Sequence, residues 1–406
     1  MNRFALALAP LLLVAAAPGN DPVAVPVTLG TGLGDHHSGR LIVFAQKIEP
    51  GAKAGDVDID QFAPNAVTIA ARDVPDLAAG ATTLVDSTES FPTRLEVLPP
   101  GTYRFQAVLD RNTNYNYRGR GGGDLVSNTV DVTLPGKIPA LTLSRMLPEV
   151  DTKAALAQLP AEKRARIEQG LKRIVPVDFV SPSLSAFWGR PIHMRGSIAL
   201  PPGYDPNGKT TYPVAYSTHG FGGSALSQEG SAAGMASDMA AGTMPAMIWV
   251  YLDESSATGT HEFADSVNNG PWGHALTTEL IPALEKQYRM DARPGSRFLT
   301  GHSSGGWATL WLQATYPKLF GGTWPTSPDS SDFHDFTNAD LYAPNANMYA
   351  GADGKAFPLV RDKGKVIASF RQFAQQEAVL GAYGGQFASF EWVFSPKGAD
   401  GRPVQI

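Results

Sequence analysis

A sharp turn at positions 301–306 constrains the fold of this chain more than any other sequence feature. The segment reads GHSSGG, and it follows a short predicted strand and precedes a predicted helix. The pattern Gly-x-Ser-x-Gly in this setting is a nucleophile elbow, a turn that lifts a serine hydroxyl above the end of a parallel sheet. Gly301 and Gly305 shape the elbow, because side chains there would collide across so tight a turn. The sequence therefore predicts an α/β domain with Ser303 as candidate nucleophile.

Alternating strands and helices in residues 178–406 support this fold class. A continuous apolar run at 246–253 is typical of a strand buried on both faces. The alternation predicts a doubly wound, mostly parallel sheet. Residues 340–363 are expected to form an inserted loop. The predicted strands are 191–200, 212–217, 246–253, 297–300, 320–326 and 387–394, and the predicted helices are 277–288, 304–316 and 366–380.

Residues 21–147 show a different pattern, with short strands separated by turn residues. Strands at this spacing predict a β-sandwich domain, and Pro-Pro-Gly at 99–101 is expected to join two of them as a hairpin. A charged segment at 148–177, broken at Pro160, is expected to form a helical linker to the domain at 178–406. The predicted strands are 40–47, 66–74, 94–98, 102–110 and 125–134.

Charge and cysteine content exclude several classes of function. The 33 Lys and Arg residues are outnumbered by 38 Asp and Glu, and the net charge of −5 argues against nucleic-acid binding. The chain has no cysteine, which excludes disulfides, thiol catalysis and Cys-ligated zinc. We predict no cofactor and no metal site.

The N-terminus has the features of an export signal. Met1 to Arg3 carry a positive charge, Phe4 to Val14 are almost wholly apolar, and Ala15 to Ala17 supply small residues for cleavage. The apolar run is too short to span about 30 Å of hydrocarbon as a helix. We therefore predict a signal peptide at residues 1–20. The mature protein is expected to be periplasmic or extracellular, without a membrane span.

A second glycine-rich motif, HGFGG at 219–223, follows a predicted strand. Hydrolases of this architecture hold an oxyanion with backbone N–H groups of such a loop and of the residue after the nucleophile. This pattern assigns Phe221 or Gly222, together with Ser304, as oxyanion-hole donors. His219 is expected to orient the loop.

Five segments between residues 181 and 335 carry a family resemblance. They are "GRPIHMRGSIALPPGYD", "YPVAYSTHGFGGS", "NNGPWGHALTTELIPALEKQYR", "RFLTGHSSGGWATL" and "YPKLFGGTWPTSPD". In this order they resemble the "putative esterase" family of α/β-hydrolases, which includes esterase D and the enterochelin esterases. The resemblance implies hydrolysis of a small-molecule carboxylic ester through an acyl-enzyme on Ser303. Some relatives transfer the acyl group instead, and some carry an N-terminal β-sandwich.

The histidines depart from the family pattern. A serine hydrolase needs a histidine to take the hydroxyl proton and a carboxylate to orient that histidine, and in this fold both follow the serine. Only His334 follows Ser303, and it comes earlier than the family's histidine. We expect that the sequence is truncated at its C-terminus and that base and acid lie beyond residue 406. The alternative is that His334 is the base, with Asp329 or Asp332 as its acid.

Two other functions stay open at this point, a catalytically inactive hydrolase-like binding protein and an acyltransferase. Aromatic side chains near the elbow, Trp272, Trp307 and Trp324, are candidates for the wall of a substrate pocket. Asp253 and Glu254 end a predicted strand at its C-terminal edge, where such sheets bind ligands, and are candidates for shaping the same pocket.

Overall fold

Two β-sheets, one in each half of the chain, organise the structure. It is a computed structural model, and it describes residues 23–405 except 50, 61, 114, 116–118, 150, 383 and 384. The predicted signal peptide at residues 1–20 lies outside this range. None of the helices in the described part of the chain is both long and apolar enough to cross a membrane.

Nine strands form the first sheet. They are β1 (Val25–Leu29), β2 (His36–Lys47), β3 (Val67–Ala78), β4 (Thr82–Val85), β5 (Ser90–Phe91), β6 (Gly101–Asp110), β7 (Leu125–Ser127), β8 (Val130–Leu134) and β9 (Leu141–Met146). Their order is β4-β1-β9-β7-β6-β2-β3-β5, and β8 also pairs with β6. Successive residues of a strand face opposite sides. In β2, Leu41 and Val43 enter one apolar cluster while Ile42 and Phe44 enter another, so both faces of the sheet are buried.

The first sheet folds back on itself. Its edge strand β4 packs against β3 and β2, which lie several strands away in the hydrogen-bonded order. The fold encloses an apolar cluster that includes Val27, Leu109 and Leu143. Because the nine strands are hydrogen bonded into one sheet, the predicted sandwich of two separate sheets is not confirmed.

The predicted strand at 94–98 is wrong. Its centre forms a 3-10 turn, Leu95–Val97, in which Leu95 is buried. The Leu95 N–H donates to the Ser87 hydroxyl at 2.8 Å instead of pairing with a neighbouring strand. Pro-Pro-Gly at 99–101 therefore leads into β6 and does not join two strands.

Two helices, α1 (Thr152–Ala157) and α2 (Ala161–Leu171), follow the first sheet. They coincide with the predicted helical segment and are interrupted at Pro160, as expected of a residue without a backbone N–H. The next strand begins at Ile174, directly after the second helix.

The strands of the second half are β10 (Ile174–Val180), β11 (His193–Ala199), β12 (Val214–Thr218), β13 (Ile248–Leu252), β14 (Ser255–Ser256), β15 (Gly259–Thr260), β16 (Asp265–Ser266), β17 (Gly270–Pro271), β18 (Arg297–His302), β19 (Gly322–Thr326), β20 (Pro358–Asp362) and β21 (Lys365–Ser369). Six of them form the second sheet in the order β10-β11-β13-β12-β18-β19. Strands β13, β12, β18 and β19 run parallel, and β11 is antiparallel to both its neighbours. The sheet is therefore mixed and mostly parallel.

Helices cover both faces of the second sheet. The helices in this half are α3 (Pro182–Trp188), α4 (Ala225–Ala240), α5 (Trp272–Ala275), α6 (Ile281–Gln287), α7 (Ser304–Thr315), α8 (Phe370–Leu380) and α9 (Gln386–Phe394). Helices α4 and α7 pack on strands of the second sheet, whereas α8 packs against β3 and β5 of the first sheet. Tyr251 packs with Met239 of α4 on one face. Its neighbour Val250 packs on the other face, in the cluster that contains Leu312 of α7. This is the doubly wound arrangement that the alternation of strands and helices predicts.

The predicted strand at 387–394 is also wrong, because these residues belong to α9. The Glu377 carboxylate accepts the backbone N–H groups of Gln386 and Phe387, both at 2.8 Å. It thereby satisfies donors that are unpaired at the start of a helix. The interaction comes from α8, so the apolar run itself gives no sign of it.

Arg40 of β2 connects the two halves of the chain. Its guanidinium donates to the Val379 carbonyl oxygen near the end of α8, with Nη2 at 2.7 Å and Nε at 3.2 Å. It also pairs with Asp73 and Glu89 of the first sheet. Val379 itself lies in the same apolar cluster as Phe44. The face of the first sheet that carries Ile42 and Phe44, which we call its outer face, is therefore an interface with the second half of the chain.

Replacing Arg40 with alanine should destabilise this interface. A hydrogen bond to a charged group contributes about 1.5–3 kcal/mol, so we expect Arg40→Ala to lower the free energy of unfolding by about 2 kcal/mol in urea titrations. Arg361→Ala, at an exposed position of β20, is the matched control and should change it by less than about 0.5 kcal/mol. Equal losses in the two variants would contradict the interpretation.

Candidate active site

Ser303 occupies a strained turn between β18 and α7. Its backbone has φ +56° and ψ −123°, a conformation that costs a non-glycine residue about 1–3 kcal/mol. The strand ends at His302 and the helix begins at Ser304, as the sequence predicts. Strain of this kind persists where the surrounding structure enforces it, and it is concentrated at active sites.

Two glycines make the turn possible. A Cβ atom at Gly301 would lie 2.2 Å from the Gly305 carbonyl oxygen, and a Cβ atom at Gly305 would lie 2.5 Å from the His219 carbonyl oxygen. No side chain fits at either position. The second contact shows that the glycine-rich loop at 219–223 lies directly against the elbow.

The Ser303 hydroxyl donates a hydrogen bond to Asp329 Oδ1 at 3.2 Å. The other oxygen, Oδ2, accepts from Ser304 Oγ at 3.0 Å and from Gln386 Nε2 at 3.1 Å. Burial raises the pKa of Asp329, although these hydrogen bonds act against the rise. Of the two candidate partners named from the sequence, the structure thus brings Asp329 to the nucleophile.

The loop at 219–223 forms one wall of a cleft above Ser303. A Cβ atom at Gly220 would lie 3.1 Å from Ser303 Cβ. Gly222 has φ +75°, a region that favours glycine. The cleft has a volume of about 310 Å³ and is lined by His219, Gly220, Phe221, Gly223, His302, Ser303 and Gln386. The assignment of Phe221 or Gly222 and Ser304 as oxyanion donors stays a prediction, with the loop placed where it requires.

The His219 side chain links this loop to the residues that follow β13. Its Nδ1 lies 2.8 Å from the Gly220 carbonyl oxygen, and its Nε2 lies 3.0 Å from Asp253 Oδ1 and 3.0 Å from the Glu254 backbone nitrogen. Burial acts to raise the pKa of Asp253, but hydrogen bonds from His219 and Ser255 outweigh it and the pKa is lowered. The ring therefore has the loop-orienting contacts expected from the sequence.

Two wholly buried carboxyl groups lie close to Asp329. Burial, and then the charges of Asp253 and Asp329, raise the pKa of Glu254 well above its usual range. Burial, and then the charges of Glu254 and Asp329, do the same for the pKa of Glu262. Both shifts favour the uncharged acid, so Asp329 is the group of the three that ionises most easily.

Glu262, like Gln386, is a site residue that sequence reasoning missed. It has φ +53°, and the next residue, Phe263, has φ +46°, so two adjacent non-glycine residues hold a left-handed backbone. The preceding residue, His261, stacks on Trp272 with ring centroids 3.6 Å apart, and burial lowers the pKa of His261 to about 3. No motif marks this loop, and its only sequence signal is the adjacent His-Glu pair.

The structure does not pair His334 with Asp329 or with the nucleophile. The His334 ring is exposed, and its Nδ1 lies 3.2 Å from Asp340 Oδ1. Asp332 accepts the backbone N–H of His334 at 2.9 Å, which is a turn contact. The ring of His302 lies 3.1 Å from the Thr326 hydroxyl.

A cavity of about 600 Å³ adjoins Asp329, and its walls are rich in aromatic side chains. Among the tryptophans proposed from the sequence, Trp307 lines it, whereas Trp272 is buried in the core and Trp324 on the edge strand β19 is 60% exposed. The aromatic residues of the wall are Trp307, Phe333, Phe336, Tyr349, Phe387, Phe390 and Phe394.

Within the described residues, no group of three or more His, Asp or Glu side chains has an arrangement that could hold a metal ion. Asp35 and the His36–His37 pair, a local cluster in the sequence, are separated by their contacts, because His36 pairs with Asp76 and His37 with the Leu33 carbonyl oxygen.

Residues 187–352 match the family model described as "Putative esterase". These residues form a domain of that family. The esterase domain so defined contains the elbow, the glycine-rich loop, Glu254, Glu262 and Asp329. The first sheet precedes it, and α8 and α9, with Gln386, follow it.

Solved structures show partial similarity. A ferulic acid esterase from Anaeromyces mucronatus is 21% identical with a TM-score of 0.30, over 39% of this chain and 59% of that one. An S-formylglutathione hydrolase from Agrobacterium tumefaciens is 17% identical with a TM-score of 0.31, over 41% and 65%. A fluorophosphonate-binding serine hydrolase from Staphylococcus aureus is 14% identical with a TM-score of 0.32, over 50% and 73%.

These similarities are limited in extent. The chain spans about three fifths of the length of the ferulic acid esterases it matches, 62% and 59% in two of them. A comparison with curated protein sequences found no match. With TM-scores this low, the solved structures carry no inference about substrate.

The buried acids predict a pH-dependent stability. A carboxyl group with a raised pKa in the folded state keeps its proton where the unfolded chain loses it. Stability is therefore fully present below the ordinary pKa near 4.5 and falls as pH rises, by up to about 1.4 kcal/mol per pH unit for each such proton. We expect the urea midpoint of Glu262→Gln to fall less between pH 5 and pH 8 than that of the wild-type chain. Glu229→Gln, at an exposed position of α4, should keep the wild-type dependence, and identical curves for both variants would contradict the assignment.

Proposed function

We propose that the protein is an exported serine hydrolase that cleaves carboxylic esters through an acyl-enzyme on Ser303. The observation that carries the proposal is the strained backbone of Ser303, which holds its hydroxyl in a cleft against a glycine-rich loop. The match of residues 187–352 to an esterase family supports it. The apolar segment that follows Arg3, with its small residues at 15–17, supports export.

The reaction follows from the geometry of the cleft. Ser303 Oγ attacks the ester carbonyl carbon, its proton passes to the Asp329 carboxylate to which it is hydrogen bonded, and the carbonyl oxygen becomes an oxyanion. Backbone N–H groups of Phe221 or Gly222 and of Ser304 stabilise that charge, and one such donor contributes about 3 kcal/mol. The intermediate collapses to an acyl-enzyme as the bond from carbon to the alkoxide oxygen breaks, and the leaving alkoxide takes the proton back from Asp329 to depart as the alcohol. Water then releases the acid by the same steps.

Asp329 is proposed as the carboxylate of the proton-transfer system. It accepts the Ser303 hydrogen bond through Oδ1, while Ser304 and Gln386 hold Oδ2. Asp329 follows β19 directly in the chain, which agrees with this role. His334 has no part in the proposal, because its ring contacts Asp340.

The substrate is proposed to be a small ester with an apolar acyl or alcohol group. The aromatic cavity beside Asp329, of about 600 Å³, has room for such a group and gains from burying it, at about 25 cal/mol per Å² of apolar surface.

Labelling with a fluorophosphonate probe tests the nucleophile. Such probes react with activated serines, so the wild-type chain should be labelled and Ser303→Ala should lose the signal completely. Ser231→Ala, in which an exposed serine of α4 is replaced, should be labelled at the wild-type rate. A wild-type chain without Ser303-dependent labelling would contradict the proposal and favour the alternative, an inactive hydrolase-like binding protein.

Replacing Asp329 tests the proton-transfer system. General acid–base groups contribute about 10²- to 10⁴-fold to rate, so Asp329→Asn should slow labelling about 100-fold or more. The reaction needs the ionised carboxylate, and burial raises the pKa of Asp329. The wild-type labelling rate should therefore fall as the pH is lowered, and the fall should begin at a higher pH than it would for an ordinary carboxyl group, whose pKa is near 3.9. Asp362→Asn, on exposed β20, is the control. Unchanged labelling in Asp329→Asn would remove Asp329 from the mechanism.

A further inference from the structure

We infer that the N-terminal sheet is part of the catalytic unit, because its outer face positions the oxyanion loop through the side chain of Phe221. This inference rests on the proposed function, since it assigns a task to the loop of that site. It gives the first half of the chain a role in the reaction that the esterase family match at 187–352 does not cover.

The first step is the burial of Phe221. The residue lies in the middle of the loop at 219–223, yet its side chain is only 5% exposed. It belongs to the apolar cluster on the outer face of the first sheet, with Ile42 and Phe44 of β2 and Ile69 of β3. The neighbouring backbone is close as well, because a Cβ atom at Gly259 would lie 3.2 Å from the Phe221 ring. The phenylalanine is therefore an anchor between loop and sheet.

The second step is the way in which the loop is held from opposite sides. On the side of the second sheet, His219 contacts the Gly220 carbonyl oxygen and Asp253. On the side of the first sheet, Phe221 is fixed by apolar packing. Gly222, with φ +75°, has no side chain of its own to hold it. The positions of the Phe221 and Gly222 N–H groups thus depend on both anchors.

The third step is a second contact between the same sheet and the site. Arg40 of β2 binds the Val379 carbonyl oxygen, and a Cβ atom at Gly381 would lie 3.1 Å from Arg40 Nε. The chain then leads into α9, whose first residue, Gln386, lines the cleft and binds Asp329. The first sheet therefore supports two walls of the cleft, the oxyanion loop and the start of α9.

Oxyanion donors act on the transition state much more than on the bound substrate. A loop that has lost its anchor should therefore lower kcat while leaving KM nearly unchanged. Loss of a whole donor costs about 10²- to 10³-fold in kcat, and a displacement of about 1 Å can cost a similar factor. For a partial loosening by Phe221→Leu we expect kcat to fall about tenfold or more.

The experiment compares three Phe-to-Leu variants of the full chain, with p-nitrophenyl acetate as substrate. Phe221→Leu loosens the loop anchor, and Phe44→Leu alters the sheet side of the same cluster. Phe105→Leu, at a buried position on the opposite face of the sheet, is the control for loss of core packing. We expect kcat to fall in the first two variants, with KM within about twofold of wild type, and to stay at the wild-type value in the third. Thermal midpoints and circular dichroism verify that each variant is folded, and Phe221→Met replaces Phe221→Leu if the latter does not fold.

Two results would overturn the inference. One is a folded Phe221 variant with wild-type kcat, which would show that the loop needs no support from the sheet. The other is an equal fall of kcat in Phe105→Leu, which would show a general effect of destabilisation. Both results leave the proposed function intact. A wild-type chain whose turnover does not depend on Ser303 would instead overturn the proposed function, and this inference with it.

Discussion

The close approach of three backbone segments at the elbow governs the structure around the site. The end of β18, the start of α7 and the glycine-rich loop meet where Gly301 and Gly305 leave no space for a Cβ atom. The contact forces Ser303 into its left-handed conformation, because the chain must reverse within one residue. The end of β18, the start of α7 and the loop are thereby held close to one another.

Local signals were sufficient to predict the α/β domain. The elbow, the apolar run of β13 and the interruption at Pro160 are encoded by residues next to one another in the chain. The failures have non-local causes. Helix α9 is capped by Glu377 of another helix, and the turn at Leu95 is fixed by Ser87. The first sheet is assembled from pairings between strands that are distant in the chain, and a strand count does not predict those pairings.

The same distinction applies to the site. Ser303 lies in a local motif and could be found from the sequence, whereas the carboxylates around it come from separate loops. Asp329 was recognised only as a possible partner of His334, and Glu262 was not recognised at all. Their importance depends on shared burial, since lack of solvent and then the charges of neighbouring carboxylates raise the pKa values of Glu254 and Glu262. Such a group exists only after the loops have folded together.

The two apolar faces of β2 have a consequence for how the chain is divided. One face fills the interior of the first sheet, and the other, with Phe44, is covered by Phe221 and the end of α8. Each half of the chain therefore buries apolar surface of the other half. From this shared packing we expect the two predicted modules and their helical linker to unfold as one cooperative unit, and a cut within residues 148–177 to leave two incomplete pieces.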